Sequence, residues 1–418
     1  MSSDRFLYVE TLKDILLDKQ SFSIIKNNVN ENDRAFFNML FMTTFRNLAF
    51  IKDEVLPLFV KKKISKKQEI LEYVLYLGAV EILFMEKPVY AVINSYVEVA
   101  KKKTDKFGAN FVNAVLRNIA RNKEDILKNR KIKYFGKSFR KILQRDYNNK
   151  DIDDMEFFAN IEPMLDLTYK LDKKPDFTNA TKLPFGSLRL PSDTKVSNLA
   201  GFDDGDFWVQ DASSAMAVNI LSNDLRGKNV LDLCAAPGGK TAQLLSRGAN
   251  VWAVDVSASR LETLKENMKR LNLEKNLKIS CDDALKFECN EKFDIVLIDA
   301  PCSASGTFRR HPEIIHTKTF EDVKKMACIQ EKILEKAVSF LNDFGIIVYA
   351  TCSLSKLEGE EQILKFLEKN KNFTILPIDD DKLSQSLTKE GFLRILPQHL
   401  KDFSGTDGFF VACLKRKN

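Results

Sequence analysis

The sequence of 418 residues predicts a multidomain α plus α/β protein with three consecutive parts. We expect an all-helical bundle over residues 1–130, a basic linker with a small α+β domain over 131–210, and a doubly wound, mostly parallel sheet over 211–418. Three observations predict this order. Apolar residues recur every three or four positions in the first part, prolines interrupt the second, and strands alternate with helices in the third.

The first part carries a helical pattern throughout. Leu48, Ile51, Val55 and Leu58 repeat at the spacing that places them on one face of a helix. Glycine and proline are rare in this part, and its sequence lacks the alternation of a half-buried strand. We therefore expect about six helices.

The second part is polar and rich in proline. Pro163, Pro175, Pro184 and Pro191 break it into short pieces, and residues 165–169 alternate apolar and polar side chains as a strand would. This pattern predicts a few short strands beside the basic linker.

The third part repeats a strand–helix unit. A continuous apolar run at 293–299 predicts a strand that is covered on both faces. Such repetition is typical of a doubly wound parallel sheet. The predicted strands are 230–234, 251–255, 277–281, 293–299, 346–351 and 409–414, and the predicted helices are 241–247, 259–271 and 321–341.

The positive charge is concentrated in one short window. Residues 101–150 hold 16 Lys and Arg against 4 Asp and Glu, whereas residues 1–100 hold 13 of each and residues 151–418 hold 36 against 41. Such a concentrated field favours a polyanion, and nucleic acid is the usual one. A lysine-rich surface face without a ligand remains the alternative.

The composition predicts a folded protein of the cytoplasm. Hydrophobic residues make up 44% and charged residues 29%, and the most apolar helical stretch, 70–85, is interrupted by Glu72 and Glu81. Asp4 and Glu10 stand where a secretion signal would be basic and then apolar. We expect no contact with a membrane, and we expect the seven cysteines to be reduced.

A glycine-containing loop follows the first strand of the sheet. Paired glycines at this position allow a sharp turn and a close approach of a ligand to the backbone. The loop departs from the phosphate loop because a cysteine replaces its first glycine, so a nucleoside triphosphate is disfavoured. Its residues are Cys234, Ala235, Ala236, Pro237, Gly238, Gly239 and Lys240.

Carboxylates follow three further strands. Asp255 stands where an acid hydrogen-bonds ribose hydroxyls, Asp283 where one reaches an adenine amino group, and Asp299 ends the fourth strand. Several carboxylates around one crevice suit a cationic nucleoside, and the sulfonium S-adenosylmethionine is such a ligand. Asp282 is an alternative to Asp283, and each aspartate alone is compatible with a helix cap.

Two cysteines follow neighbouring strands. Cys302 comes after the fourth strand and Cys352 after the fifth, so both belong at the carboxyl edge of the sheet. A thiolate that adds to carbon 6 of cytosine makes carbon 5 nucleophilic enough to accept a methyl group. Asp299 can hydrogen-bond N3 of the ring. No metal is expected, because the cysteines form no CxxC pair; Cys281, Cys289, Cys328 and Cys413 are interpreted as buried apolar residues.

These motifs resemble those of the RNA cytosine-5 methyltransferases. The matching stretches are CAAPGGK at 234–240, DAPCSASG at 299–306 with FRRHPE at 308–313, and TCS at 351–353 with Glu358, Glu360 and Glu361 beyond it. Two C-terminal stretches, 394–397 and 405–410, match as well. Residues 94–103 and 111–117 resemble the NusB type of RNA-binding helical domain, although an ordinary amphipathic helix explains them too. Together they resemble bacterial small-subunit ribosomal RNA methyltransferases of the Sun/Fmu type.

The resemblance implies an enzyme and its residues. It implies a NusB-like bundle, a Rossmann-like sheet that binds S-adenosylmethionine, Cys352 as nucleophile and Cys302 as the thiol that assists product release. The expected partner is RNA, most of all 16S ribosomal RNA, and a monomer is expected. Arg309, Arg310 and His311 are expected to hold the target strand. Transfer RNA as substrate, or a non-catalytic assembly factor, remain alternatives.

Overall fold

The chain divides into two compact units. The computed structural model describes residues 2–18, 22, 25, 29–130, 134–173, 175–378 and 381–417. One unit comprises Met1–Lys141 with His311–Lys318, and the other comprises Ile142–Arg310 with Thr319–Asn418. The expected boundaries at residues 130 and 210 stay predictions.

The first unit is helical, as predicted. Its core is made of close-packed aromatic and aliphatic side chains, in which Phe37 and Phe41 lie 4.3 Å apart between ring centroids. The buried Glu81 is paired with Arg5 at 2.7 Å and accepts the Tyr96 hydroxyl at 2.6 Å, so its charge is compensated. The helices are α1 Ser2–Asp18, α2 Glu31–Phe50, α3 Leu56–Phe59, α4 Ile70–Phe84, α5 Val89–Lys103, α6 Lys106–Arg121 and α7 Lys123–Lys128, with a π-helical turn Ile51–Val55 before α3.

A short segment from late in the sequence also belongs to the first unit. His311–Lys318 packs there, and the imidazole Nε2 of His316 lies 2.6 Å from the carbonyl oxygen of Phe45. Burial lowers the pKa of His316 to about 4, so the neutral ring donates this bond at neutral pH. The sequence pattern did not predict that this segment belongs to the first unit.

A small antiparallel sheet opens the second unit. Its strands run in the order β2-β3-β1-β4. The buried Arg189 holds Asp166 across β3 and β1 with a bidentate ion pair, 2.6 Å at the shorter bond. The elements are α8 Lys137–Gln144, α9 Asn149–Phe157, β1 Leu165–Tyr169, β2 Thr181–Lys182, β3 Leu188–Leu190, β4 Phe207–Val209 and α10 Ala212–Asn219.

The large sheet has the predicted doubly wound core. Its order is β10-β12-β9-β8-β5-β6-β7, in which β7, β6, β5, β8 and β9 are parallel and β12 is antiparallel. In chain order the elements of this part are β5 Asn229–Leu233, α11 Gly239–Ser246, β6 Asn250–Asp255, α12 Ala258–Arg270, β7 Leu277–Cys281, β8 Phe293–Asp299, α14 Phe320–Ala337, β9 Leu341–Thr351, α15 Glu360–Lys369, β10 Phe373–Ile375, β11 Leu393–Ile395 and β12 Phe409–Arg416; α13 Ile314–Thr317, between β8 and α14, belongs to the first unit.

The topology places a binding crevice at one point of this sheet. The strand order reverses between β5 and β8, and ligands of such sheets bind at the carboxyl ends of the strands on either side. The loop 234–240, called the cofactor loop after its expected ligand, follows β5. The loop that contains Cys302 follows β8. Among the described helices, none has both the length and the apolar character that crossing a membrane requires.

Candidate active site

The loop after β5 needs its glycine for two reasons. Gly238 has φ +101°, a left-handed conformation that disfavours other residues. A Cβ at this position would also lie 2.8 Å from Cγ of Leu264 in α12. The loop therefore turns tightly into α11 and directs the first backbone amides of that helix toward the crevice.

Asp255, at the end of β6, stabilises the same loop. Its carboxylate accepts the backbone N–H of Ala236 at 3.1 Å and that of Ser257 at 2.9 Å. The residue is only 3% exposed. Asp255 thus joins the cofactor loop to the start of α12, and its expected contact with a ribose stays a prediction.

The two acids after β7 both form local hydrogen bonds. Asp283 accepts the N–H of Leu285 at 3.0 Å, and Asp282 accepts the N–H of Asp283 at 2.8 Å. Both residues are half-buried. Because each carboxylate is similarly engaged, the preference for Asp283 over Asp282 stays a prediction.

Lys240 and Asp299 form an ion pair between α11 and the end of β8. The Lys240 Nζ lies 2.6 Å from Oδ2 of Asp299 and donates to the Ser214 hydroxyl at 2.9 Å. The ammonium also lies 5.3 Å from the ring centroid of Phe409. The Asp299 side chain is 33% exposed, so this carboxylate faces the crevice.

Asp232 is a buried acid that the sequence analysis missed. It lies inside β5, accepts the Thr241 hydroxyl at 2.6 Å through Oδ2, and has no partner for Oδ1 among the described residues. Burial raises its pKa to about 7. The sequence did contain a sign of it, because an acid within the apolar run 230–233 is costly to bury unless it has hydrogen-bond partners.

The two cysteines lie together. The Sγ atoms of Cys302 and Cys352 are 3.3 Å apart, at the ends of the adjacent parallel strands β8 and β9. The predicted proximity is therefore confirmed, while the chemical role of each thiol stays a prediction. The hydrogen bond to Cys352 and burial raise the pKa of Cys302 well above its ordinary value.

Close backbone contacts hold the cysteine loops in place. The N–H of Gly306 donates to the carbonyl of Cys352 at 2.9 Å, and the N–H of Gly408 donates to the carbonyl of Gly306 at 2.9 Å. A Cβ on Gly306 would lie 2.2 Å from the carbonyl oxygen of Gly408. The C-terminal stretch 405–410 thus forms one wall beside Cys352.

A buried carboxylate lies beneath the two cysteine loops. Glu358 is fully buried and accepts hydrogen bonds from Ser303 and Ser353, the residues that directly follow Cys302 and Cys352. The sequence places Glu358 in a motif after Cys352 but assigns it no role. In the structure, Glu358 lies between the loop that contains Cys302 and the loop that contains Cys352.

The arginines after Cys302 do not face a ligand, contrary to the sequence-based expectation. Arg309 is 1% exposed and donates to a backbone carbonyl at 2.5 Å. Arg310 is held between Asp211 at 2.5 Å and Asp407 at 2.9 Å. Both guanidinium groups are thus used inside the protein, whereas His311 is exposed.

Two other cysteines also differ from expectation. Cys281 and Cys328 are exposed, whereas Cys413 is buried as predicted. Cys281 is the last residue of β7 and Cys328 lies on the outer face of α14, so neither contributes to a core. These positions provide exposed thiols that are separate from the cysteine pair.

One face of α6 combines cations with an exposed aromatic ring. Phe107 is 76% exposed, and Lys106, Arg117 and Arg121 are exposed along the same helix. At about 100° of rotation per residue, these four positions lie within about 100° of one another around the helix axis. Cations and an unpartnered aromatic surface are features of proteins that bind single-stranded nucleic acid.

Comparisons with known proteins agree with both units. A model of the family described as 16S rRNA methyltransferase RsmB/F matches residues 219–415, and a NusB family model matches residues 2–121. Ribosomal RNA small subunit methyltransferase B of Serratia proteamaculans is 33% identical over 93% of this chain and 92% of that protein.

Two solved structures share the fold. The crystal structure of PH0851 has a TM-score of 0.70 at 22% identity and covers 93% of this chain and 91% of that one. NSun6 from Pyrococcus horikoshii, solved with SFG, has a TM-score of 0.57 at 20% identity and covers 69% of this chain and 100% of that one.

Proposed function

The chain belongs to the 16S rRNA methyltransferase RsmB/F family, and from this premise we propose that it methylates carbon 5 of a cytosine in small-subunit ribosomal RNA with S-adenosylmethionine. The observation that supports this chemistry most is the 3.3 Å separation of the Cys302 and Cys352 sulfur atoms. Two thiols at the edge of the crevice suit a reaction in which one attacks the ring and the other assists its departure.

The proposed chemistry begins with the Cys352 thiolate. Its sulfur forms a bond to carbon 6, and the electrons of the C5–C6 double bond move to carbon 5, which then takes the methyl group. A base takes the carbon-5 proton, the electrons of that C–H bond re-form the double bond, and the C6–sulfur bond breaks to regenerate the thiolate. Cys302 is proposed to assist this last step.

Asp299 is proposed to hold the cytosine ring. Its carboxylate is one-third exposed, and Lys240 fixes it through Oδ2 at 2.6 Å. A fixed carboxylate at this position can accept a hydrogen bond from the exocyclic amino group of a cytosine or from a protonated N3; the proton at N3 stabilises the electrons that are displaced when a thiolate adds to carbon 6. Lys240 thereby acts on the ring through Asp299.

The crevice has the chemistry that a cationic nucleoside requires. Asp232 lies inside β5, whereas Asp255 and Asp299 end β6 and β8; burial, together with the charges of these three acids, raises the pKa of Cys234 to about 12. Val256, 71% exposed after Asp255, offers an apolar surface for an adenine. S-adenosylmethionine, when bound, supplies the methyl group.

RNA is proposed to contact the helical part as well. The exposed face of α6 with Lys106, Phe107, Arg117 and Arg121 suits phosphates and an unpaired base. Such contacts position a strand without specifying its sequence. The proposed division of labour follows the predicted parts: 1–130 binds RNA, 131–210 connects, and 211–418 carries out the chemistry.

A substrate comparison tests the proposal directly. The purified protein is incubated with radiolabelled S-adenosylmethionine and either 16S ribosomal RNA, small-subunit particles or transfer RNA, and the modified nucleoside is identified by mass spectrometry. We expect 5-methylcytosine in 16S RNA, with binding that weakens as salt rises. Methylation of transfer RNA alone, of another atom, or no binding of the cofactor in calorimetry would contradict the proposal.

Asp299→Asn provides a first mutational test. The amide keeps the size of the side chain but loses the charge and the ion pair with Lys240, so we expect single-turnover methylation to fall about 100-fold. Asp294→Asn is the matched control, because Asp294 lies on the same strand and, within the described part of the chain, accepts the backbone N–H of Asn229 alone. Equal rates for the two variants would exclude a role for Asp299.

A further inference from the structure

We propose that Glu358 is the positioning residue that fixes both thiols of the site and keeps Cys302 protonated while Cys352 acts as the nucleophile. The inference rests on the proposed function, because it assigns how the protein distinguishes two chemically identical side chains. The observations that support it are the contacts of the fully buried Glu358 carboxylate.

The carboxylate of Glu358 joins both cysteine loops. Oε1 accepts the backbone N–H of Ser303 at 2.8 Å and the side-chain amide of Gln330 at 3.0 Å. Oε2 accepts the hydroxyl of Ser303 at 2.6 Å and that of Ser353 at 2.5 Å. Because each serine directly follows one cysteine, a single carboxylate sets the spacing of the two sulfur atoms.

Further hydrogen bonds stiffen this arrangement. The Ser303 and Ser305 hydroxyl oxygens each lie 3.2 Å from that of Ser353. The Ser305 hydroxyl also accepts the N–H of Leu354 at 2.9 Å, and the Tyr349 hydroxyl donates to the backbone carbonyl of Glu358 at 2.9 Å. Hydrogen bonds in such a buried, low-dielectric environment are stronger than in water, so this network restrains both cysteine loops.

The charges around Glu358 favour an asymmetric pair of thiols. Among the described residues its donors are neutral serines and an amide. The nearby Arg394, which donates to the Ser353 carbonyl, is itself paired with Glu360 at 2.6 Å. The negative charge of Glu358 is therefore not neutralised by a direct ion pair in the described residues. A charge of this sign disfavours a second anion beside it.

Two sulfur atoms 3.3 Å apart cannot readily both be thiolates, so the surroundings decide which one carries the charge. The hydrogen bond with Cys352, burial, the charge of Cys352 and that of Glu358 all raise the pKa of Cys302. Tyr349, Arg394 and its partner Glu360 are further titratable groups near this cluster, and burial keeps the tyrosine neutral. A protonated Cys302 can donate its S–H to a Cys352 thiolate.

Two variants separate charge from geometry. Glu358→Gln keeps the size of the side chain and removes its charge, whereas Ser353→Ala keeps the charge and removes one of its hydrogen bonds. Alkylation of each cysteine by iodoacetamide is followed across pH by mass spectrometry of its peptide, in the full-length protein without RNA. Glu368→Gln, an exposed position on α15, is the control for the substitution.

We expect Glu358→Gln to lower the pH midpoint of Cys302 alkylation by about one unit. Ser353→Ala and Glu368→Gln should leave that midpoint unchanged. Single-turnover methylation should fall about 100-fold in Glu358→Gln and about tenfold in Ser353→Ala, with RNA affinity within threefold of the unmodified protein.

An unchanged Cys302 midpoint in folded Glu358→Gln would overturn the proposal. If that variant fails to fold, an unchanged methylation rate in Ser353→Ala would overturn it instead. The alkylation profile needs neither RNA nor cofactor, so its failure is distinguishable from failure of the proposed function, which appears as absent 5-methylcytosine with the unmodified protein.

Discussion

Cys352→Ala is expected to abolish methyl transfer, with a loss of at least about 10⁴-fold in the single-turnover rate. Without the thiolate, carbon 5 of cytosine is too weak a nucleophile to take a methyl group. Binding of S-adenosylmethionine and of RNA should remain within threefold, because the side chain lies at the end of β9 and supports neither the glycine loop nor α6. The measurements are quenched-flow methylation and calorimetry.

Cys328→Ala is the matched control for this loss. Cys328 is an exposed cysteine on α14, so its removal changes the same atoms away from the crevice. The Cys328→Ala variant should methylate RNA at the rate of the unmodified protein. Substantial activity in Cys352→Ala would show that Cys352 is not the nucleophile, and the mechanism would then have to be abandoned.

Cys302→Ala is expected to trap the protein on its RNA. The neighbouring thiol is proposed to assist breakdown of the adduct, so its removal leaves addition possible and slows release. We expect turnover to fall about 100-fold while a denaturant-resistant complex with RNA accumulates. The complex is measured by gel electrophoresis after denaturation, in the presence of S-adenosylmethionine.

The double variant controls for nonspecific crosslinking. Cys302→Ala combined with Cys352→Ala lacks both thiols, so no complex should form. A complex that persists in the double variant would come from another residue. Normal turnover in Cys302→Ala alone would remove this thiol from the proposed reaction.

The proximity of the two thiols could be predicted because it follows from strand geometry. Cys302 is the third residue after β8 and Cys352 comes directly after β9, and the carboxyl ends of adjacent parallel strands meet at one edge of a sheet. The same rule located Asp255 and Asp299. These residues lie close to their strands, so a local pattern was enough to place them.

The sequence pattern did not predict contacts between residues that lie far apart in the chain. Arg309 and Arg310 stand beside Cys302 in an exposed-looking motif, yet their partners are a carbonyl near residue 404 and the acids Asp211 and Asp407. Periodicity gives no information on such partners. The association of 311–318 with the first unit and the antiparallel course of β12 were missed for the same reason.

Buried acids show where sequence reasoning was incomplete. Asp232 interrupts an apolar strand and Glu358 follows the second cysteine motif, so both were visible as unusual residues. Their functions depend on donors from other elements: Thr241 for Asp232, and Ser303 and Ser353 for Glu358. An acid at a position that the sequence predicts to be buried therefore indicates that it has hydrogen-bond partners. It does not by itself assign a function.

The central claim is that the sulfur of Cys352 bonds to carbon 6 of a cytosine. It is tested most directly with 16S RNA that contains 5-fluorocytosine, whose fluorine cannot leave as the proton does, so the adduct persists. After incubation with S-adenosylmethionine, protease digestion and mass spectrometry identify the peptide that carries the nucleotide. We predict attachment at Cys352; attachment at Cys302, or no adduct from a preparation that methylates unmodified RNA, would contradict the claim.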